Sequence, residues 1–437
     1  MQDRVHPPCA WQSCIPREQM LQFVRQAGQR YWPQGPYPRD TVATMDMDLS
    51  TLGKAWCKVA LPTRFASLGV EGTLWVDAAT IAPGDGETFD RCDWYFAAFA
   101  HLSASAEWQH ERAHGPIHSY ALRLRHVPSQ LYDHAWANRI LLLLRAREAA
   151  AQGTTEEALF GPLPAARIHI THDVDAIDKT WPIRLKQGVF ELFNALRYGH
   201  LHHLRKAMAM ICQPTRYDYL DTVADKVAAA GLRSAFHLYA RPATRSLKLW
   251  LMDPGYRLAD PRIMDFVQAR TAQGFSFGLH PSFDHWCDAA VLQRGCAAMQ
   301  QAFGLTPTHI RQHWLRFSLR DTWRAQASAG FTQDYTFGFN ERPGFRSGSA
   351  LNYTPWDFVT GTVHSIHACP TMAMDSQFYA YQSMTATARK NAMAALVNEV
   401  KAVHGEAAVL WHPHSFARDY GWSEGFDDML ALIGNAA

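Results

Sequence analysis

Residues 168–175 read Ile-His-Ile-Thr-His-Asp-Val-Asp. A short, largely apolar run ends on two carboxylates and an imidazole. It follows a stretch of breakers, Gly153-Thr154-Thr155 and then Gly161-Pro162-Leu163-Pro164. Such a run reads as a buried strand feeding a polar loop. Downstream the same alternation recurs. Helical periodicity covers 217–230, 261–273, 288–303, 319–329 and 385–403, each followed closely by glycine. Strand-like segments fall at 234–239, 275–279, 309–313, 331–335 and 407–411. Strands alternating with helices predict an α/β fold whose parallel sheet closes, or nearly closes, into a barrel. In such barrels chemistry collects where strands end and loops begin. Before residue 150 the pattern is mixed, with helices expected at 18–28, 93–106 and 133–149 and a strand at 74–77. The chain therefore divides into an N-terminal accessory region, 1–160, and a barrel, 161–437.

Composition narrows the partners. The 437 residues carry 42 Lys plus Arg against 40 Asp plus Glu, so the net charge of +2 gives no basic excess for binding nucleic acid. Hydrophobic residues make up 48%, ample for a large core. No apolar run approaches the ~18 residues that span a bilayer. The opening MQDRVHPPCAWQSC lacks a basic segment followed by an apolar one, which points to a cytoplasmic protein. The eight cysteines, Cys9 among them, form no C-x-x-C pair and read as scattered thiols in a reducing compartment.

Four expected strand ends carry Asp or His. On an extended backbone Asp173 and Asp175 point the same way. Two carboxylates facing one spot need a cation or a shared proton, unless Asp175 simply caps a following helix. The second end reads Gly278-Leu279-His280-Pro281-Ser282-Phe283-Asp284-His285, the third Arg311-Gln312-His313-Trp314-Leu315-Arg316-Phe317, and the last Trp411-His412-Pro413-His414. Imidazoles beside a carboxylate are what a zinc-type ion takes, with a position left for water. Any one of these ends is explicable as a hydrogen-bonded core histidine; four together point to a site.

In this order the motifs resemble those of the polysaccharide deacetylases, most closely the bacterial branch found with surface-polysaccharide (O-antigen or capsule) biosynthesis. The similarity covers about 168–433 and includes Gly344-Phe345-Arg346-Ser347-Gly348. The stretch 114–146 is also similar to the N-terminal region that branch carries. The resemblance implies a distorted (β/α) barrel of seven strands that hydrolyses an acetyl group, N-acetyl first, from a sugar. It implies Asp173 as base, supported by Arg311, and His412 as general acid. It implies Asp175 and His280 as ligands of a divalent metal, zinc first, with cobalt, nickel or manganese as alternatives. His285 and His313 compete to complete the metal site, since the usual second motif separates its two histidines by three residues and His285 falls one residue late. The family's further aspartate corresponds to Asp334 or Asp375. Trp314, Arg316, Arg346 and Trp356 are candidates for holding sugar, or equally for packing. The implied partner is an acetylated sugar or glycan precursor; a homo-oligomer stays open. The main alternatives are another amide hydrolase on the same scaffold, metal-dependent or not, and a non-catalytic glycan-binding protein.

One segment stands outside this pattern. The stretch 185–210 is longer than a tight strand-to-helix loop and contains His200, His202, His203, Arg205 and Lys206. It reads as a helical, cationic insertion near the barrel mouth that either meets an anionic glycan donor or is a solvated helix face.

Overall fold

The computed structural model describes residues 11–40, 47–199, 201–213, 215–243, 246–382 and 384–434. Cys9 and His200 lie outside the described residues, as does the side chain of His202. Eight strands form one parallel sheet: β1 (Arg167–Asp173), β2 (Ser234–Tyr239), β3 (Ser276–His280), β4 (His309–Ile310), β5 (Gln333–Asp334), β6 (His367–Ala368), β7 (Thr371–Met374) and β8 (Glu406–Leu410). Their order is β6-β5-β4-β3-β2-β1-β8-β7. The two outer strands are neighbours in the chain, separated only by Cys369-Pro370. Cys369 N–H donates to the Asp334 carbonyl at 2.9 Å, and Ala408 N–H donates to the Pro370 carbonyl at 2.8 Å. Thus β6 and β7 are one kinked stave that pairs with β5 at its start and with β8 at its end. The sheet closes into a distorted (β/α) barrel of seven staves. Proline suits the kink because its missing N–H cannot leave a ladder donor unpaired.

The central strands are buried on both faces, as expected of a parallel sheet covered by helices. All six residues of β2 are buried, and so are Ala407 to Leu410 of β8. Register then decides which side chains share the barrel's C-terminal rim. Asp173 pairs with His237, Tyr239 with His280, and Leu410 with Thr171. The helices are capped as their sequences suggest: Asp260, Asp288 and Thr385 each accept a backbone N–H at a helix start. The expected strand at 309–313 is shorter. Only His309 and Ile310 pair, and His313 to Leu315 turn away in a 3-10 segment, with Trp314 at φ 59° and Leu315 at φ 47°. The expected strand at 331–335 likewise shrinks to β5, and the expected helix at 319–329 to Thr322–Ser328.

The N-terminal part supplies α1 (Trp94–Leu102), α2 (Trp136–Ala151) and an antiparallel pair, Trp56–Ala60 with Thr73–Asp77. One continuous apolar core includes Phe23 and Phe99 from this part and Val409 and Phe426 from the barrel. The insertion after β1 is a helical hairpin, α3 (Trp181–Tyr198) and α4 (Leu201–Cys212), with Gly199 in the left-handed region at φ 69° between them. Two further helices matter below: α5 (Leu247–Met252) and α6 (Ala386–Ala402).

Buried ion pairs fasten the N-terminal part to the barrel. On α6, the Glu399 carboxylate accepts two bonds from Arg139 on α2, at 2.9 and 2.7 Å, and one each from the Ala135 backbone N–H and His134 Nδ1. Burial alone would raise this carboxyl, but the bonds from His134 and Arg139 outweigh it and hold it at about 2. A carboxyl depressed in the folded state stabilises the fold above its unfolded value, and that contribution disappears as pH falls from the ordinary range toward 2. Removing one partner of a buried pair leaves the other charge unanswered. Glu399→Gln should therefore cost roughly 2–4 kcal/mol of unfolding free energy at pH 7, measured by urea titration. The gap between variant and wild type should narrow steadily as the titration is repeated at lower pH.

Candidate metal centre and active site

Asp175, His280 and His313 present one ligand atom each, all within 4.8 Å of one another. Asp175 Oδ1 stands 3.3 Å from His280 Nε2 and 3.7 Å from His313 Nε2. Two ligands bound at ~2.0–2.1 Å to a tetrahedral ion stand roughly 3.3 Å apart, so the trio is spaced for one cation. Asp175 Oδ1 and His280 Nε2 are buried without a hydrogen-bond partner. Atoms orphaned in this way face a ligand or cost free energy. His280 Nδ1 donates to the Arg311 carbonyl at 2.8 Å, which fixes the tautomer and leaves the Nε2 lone pair free. Behind His313, Asp253 Oδ1 lies 3.6 Å from Nδ1. Asp253 is itself held by Ser282 Oγ, the Phe283 N–H and the Tyr239 hydroxyl. His280 thus has the oriented support that metal-binding imidazoles require, whereas His313 Nδ1 faces Asp253 without a hydrogen bond. Burial works against the Asp175 charge, but His280, His313 and His412 outweigh it and hold its carboxyl well below the usual range. Asp175 caps no helix: the next one starts at Trp181, behind Thr180.

Two further pairs flank the trio. Asp173, at the end of β1, is buried and accepts from Arg311 Nη1 at 3.2 Å; His237 Nδ1 stands 3.3 Å away. Burial alone would raise this carboxyl, but His280, Arg311 and His237 together keep it well below the usual range. Asp173 is therefore ionised at neutral pH. On the other flank His412 Nδ1 donates to Asp375 Oδ1 at 2.9 Å, and the His412 backbone N–H donates to Oδ2, also at 2.9 Å. His412 Nε2 faces Asp175 Oδ2 at 3.6 Å. Burial would depress this imidazole, but Asp375 pushes it up to about 9, so it carries a proton at neutral pH. Asp173, Asp175, His280, His313 and His412 all line one cavity of 160 Å³, together with Trp314, Asn340 and Lys186 from α3.

The structure thus brings together Asp173, Asp175, His280, His313, Arg311 and His412, with Trp314 on the wall. Other expected site residues stand elsewhere. Among the described residues the trio contains His313 and not His285. Arg346 is buried against Glu107 through two bonds of 2.9 and 2.6 Å, over the rings of Phe317, Phe337 and Phe339. Trp356 packs edge-on against Phe23 and Phe99 in the N-terminal core. Arg316 pairs with Asp284 and lies over Phe283. Of the two candidates for the family's further aspartate, Asp375 meets His412, whereas Asp334 accepts from Trp323, Gln326 and Thr336 away from the cavity. Sequence reasoning missed His237, Asp253 and Lys186. A polar residue inside an apolar strand was the available signal for His237. The turn Asp253-Pro254-Gly255 in the loop region after β2 was the signal for Asp253.

Comparison with known proteins adds little. No family model and no curated protein matches the chain. Solved structures that match include a Mycobacterium smegmatis protein assigned as a polysaccharide deacetylase, with 13% identity, a TM-score of 0.34, and coverage of 62% of this chain and 88% of that one. A family 4 carbohydrate esterase from Streptomyces lividans in complex with acetate matches at 11% identity and TM-score 0.30, over the same shares. A 7,8-dihydropteroate synthase from Vibrio fischeri matches at 9% and 0.26, over 62% of this chain and 93% of its own. Likeness at this level spans different activities, so the reading of function rests on the residues around the cavity.

Proposed function

We propose that the protein is a metal-dependent deacetylase that hydrolyses an acetyl group, most readily N-acetyl, from a sugar. The observation that carries the reading is the order across one cavity: a carboxylate held ionised, a three-ligand cluster with orphaned acceptors, and an imidazole held protonated. The motif resemblance to the polysaccharide deacetylases supports a glycan precursor of surface polysaccharide as substrate. On this reading 161–437 is the catalytic barrel and 1–160 an accessory region that braces it.

An acetamide is a poor electrophile and water a poor nucleophile at neutral pH. Asp175, His280 and His313 would hold a divalent ion, zinc first by the nature of the ligands, which would supply polarisation of the carbonyl and a more acidic water. Asp173 accepts the proton as the water oxygen bonds to the acetyl carbon. Arg311 keeps Asp173 available for this by favouring its charged form. His412 Nε2 then gives its proton to the nitrogen as the carbon–nitrogen bond breaks, releasing acetate and the amine. Asp375 holds the imidazole in the orientation and protonation state for that transfer. Trp314 offers an apolar face for a sugar ring.

Metal analysis of the freshly purified protein should find about one ion per chain, lost in Asp175→Ala, His280→Ala and His313→Ala and kept in His285→Ala. A metal-free wild type that also fails to take up added zinc would overturn the assignment. Asp173→Asn should keep the fold and the metal but slow acetate release from an acetylated amino sugar by ~10²–10⁴-fold. Full activity in that variant would remove Asp173 from the chemistry.

A further inference from the structure

The hairpin α3–α4 carries more exposed apolar surface than a solvated hairpin requires. On α3, Trp181, Leu185, Val189, Leu192, Phe193 and Leu196 lie on one face at helical spacing, and all are exposed, Leu196 to 81%. On α4, Leu201, Leu204, Met208 and Ile211 repeat the pattern, with Leu201 at 74%. Adjoining α5 adds Leu247 and Trp250. Contiguous apolar surface of this kind on a folded protein marks an interaction site.

Charge selects the occupant. Between residues 181 and 212 the basic residues are Arg184, Lys186, Arg197, Arg205 and Lys206, and the one acid is Glu191. Glu191 is buried and consumed by His203 and Lys206, each at 2.7 Å. With Lys186 in the cavity lining and Lys206 spent on Glu191, the outer face combines its apolar side chains with half-buried Arg184 and exposed Arg205, and among the described residues of the hairpin offers no free carboxylate. Apolar residues with Trp and Phe on one face and Lys and Arg beside them describe a helix that lies in a membrane interface. A second copy of the chain fits poorly, because a two-fold contact would set these cations against themselves. The same helix also lines the cavity: Lys186, Gln187 and Phe190 face inward, and the Phe190 ring lies 6.2 Å from that of Tyr381.

We propose that the exposed face of α3, α4 and α5 docks on an anionic lipid bilayer, placing the mouth of the cavity at the membrane surface. The benefit of such placement, access to a sugar carried on a lipid, rests on the deacetylase reading; the docking itself does not.

The test is co-sedimentation of the full chain with vesicles of phosphatidylcholine containing roughly 30% phosphatidylglycerol, and with phosphatidylcholine alone. The wild type should bind the anionic vesicles about tenfold more tightly than the neutral ones, and about 0.5 M salt should weaken that binding. Val189→Glu combined with Leu196→Glu should lower binding at least tenfold, and Arg205→Glu should lower it less, with metal content and thermal unfolding unchanged. Two results would overturn the proposal: no binding to anionic vesicles by the wild type, or a wild-type dimer in light scattering that the double variant turns into monomer. Loss of the deacetylase reading would show instead in the metal and acetate assays, with vesicle binding intact.

Discussion

Asp173 is a carboxylate in the interior of an apolar barrel, and a charge so placed must be answered by another. Arg311 answers it. Its guanidinium is wholly buried and spends its donors in three directions: Nη1 on Asp173, Nε on the Tyr335 carbonyl at 2.9 Å, and Nη2 on Thr371 Oγ1 at 3.1 Å. Those partners belong to β1, the end of β5 and β7. One side chain therefore ties staves from both sides of the kink at Cys369-Pro370. The closure of the barrel and the ionisation of Asp173 are the same interaction seen from two ends. The Arg311 carbonyl in turn orients His280. Positioning of the candidate base and of a candidate ligand thus passes through one residue.

The histidines divide by the company they keep. His172, next in sequence to Asp173, points to the other side of the strand, where Nδ1 donates to the Trp411 carbonyl and the ring packs on Phe236 and Phe426. With little charge to offset burial it is held down at about 3 and stays neutral. His309 is held down in the same way, and His237 and His313 are held down first by burial although each faces a carboxylate. His280 and His412 face carboxylates and are shifted upward despite the same burial. A facing carboxylate thus outweighs burial at His280 and His412 but not at His237 or His313.

This contrast also explains what the sequence could convey. The barrel was legible because parallel strands are short apolar runs closed by polar ends, and Asp173, Asp175, His280 and His412 sit at those ends. Period-two alternation separates Asp173 and Asp175 from His172. The choice between His285 and His313 was not legible, because it depends on how the chain leaves β4. That turn, with Trp314 and Leu315 at positive φ, has no glycine to announce it. Arg346 and Trp356 were not legible either. An arginine in a loop carries no mark of its partner, and Glu107 lies 239 residues away. Asp375 and Asp334 look alike along the chain; only register sets one against His412.

The strained turn shows why the N-terminal part belongs to the site. Non-glycine residues at positive φ cost about 1–3 kcal/mol each and persist where the surroundings over-determine them. The Trp314 carbonyl is gripped by Asn340 Nδ2 at 2.8 Å and by Ser119 Oγ at 3.0 Å. Ser119 is itself locked to Asn340 through the Asn340 N–H and side chain. Ser119 comes from the N-terminal part, where chemistry-bearing motifs are absent. Its contribution is mechanical: it holds the backbone just after His313 in a conformation the local sequence does not favour, and so helps aim the imidazole at Asp175. A segment that reads as featureless can therefore be required for the geometry of a candidate metal centre whose three candidate ligands all lie in the barrel.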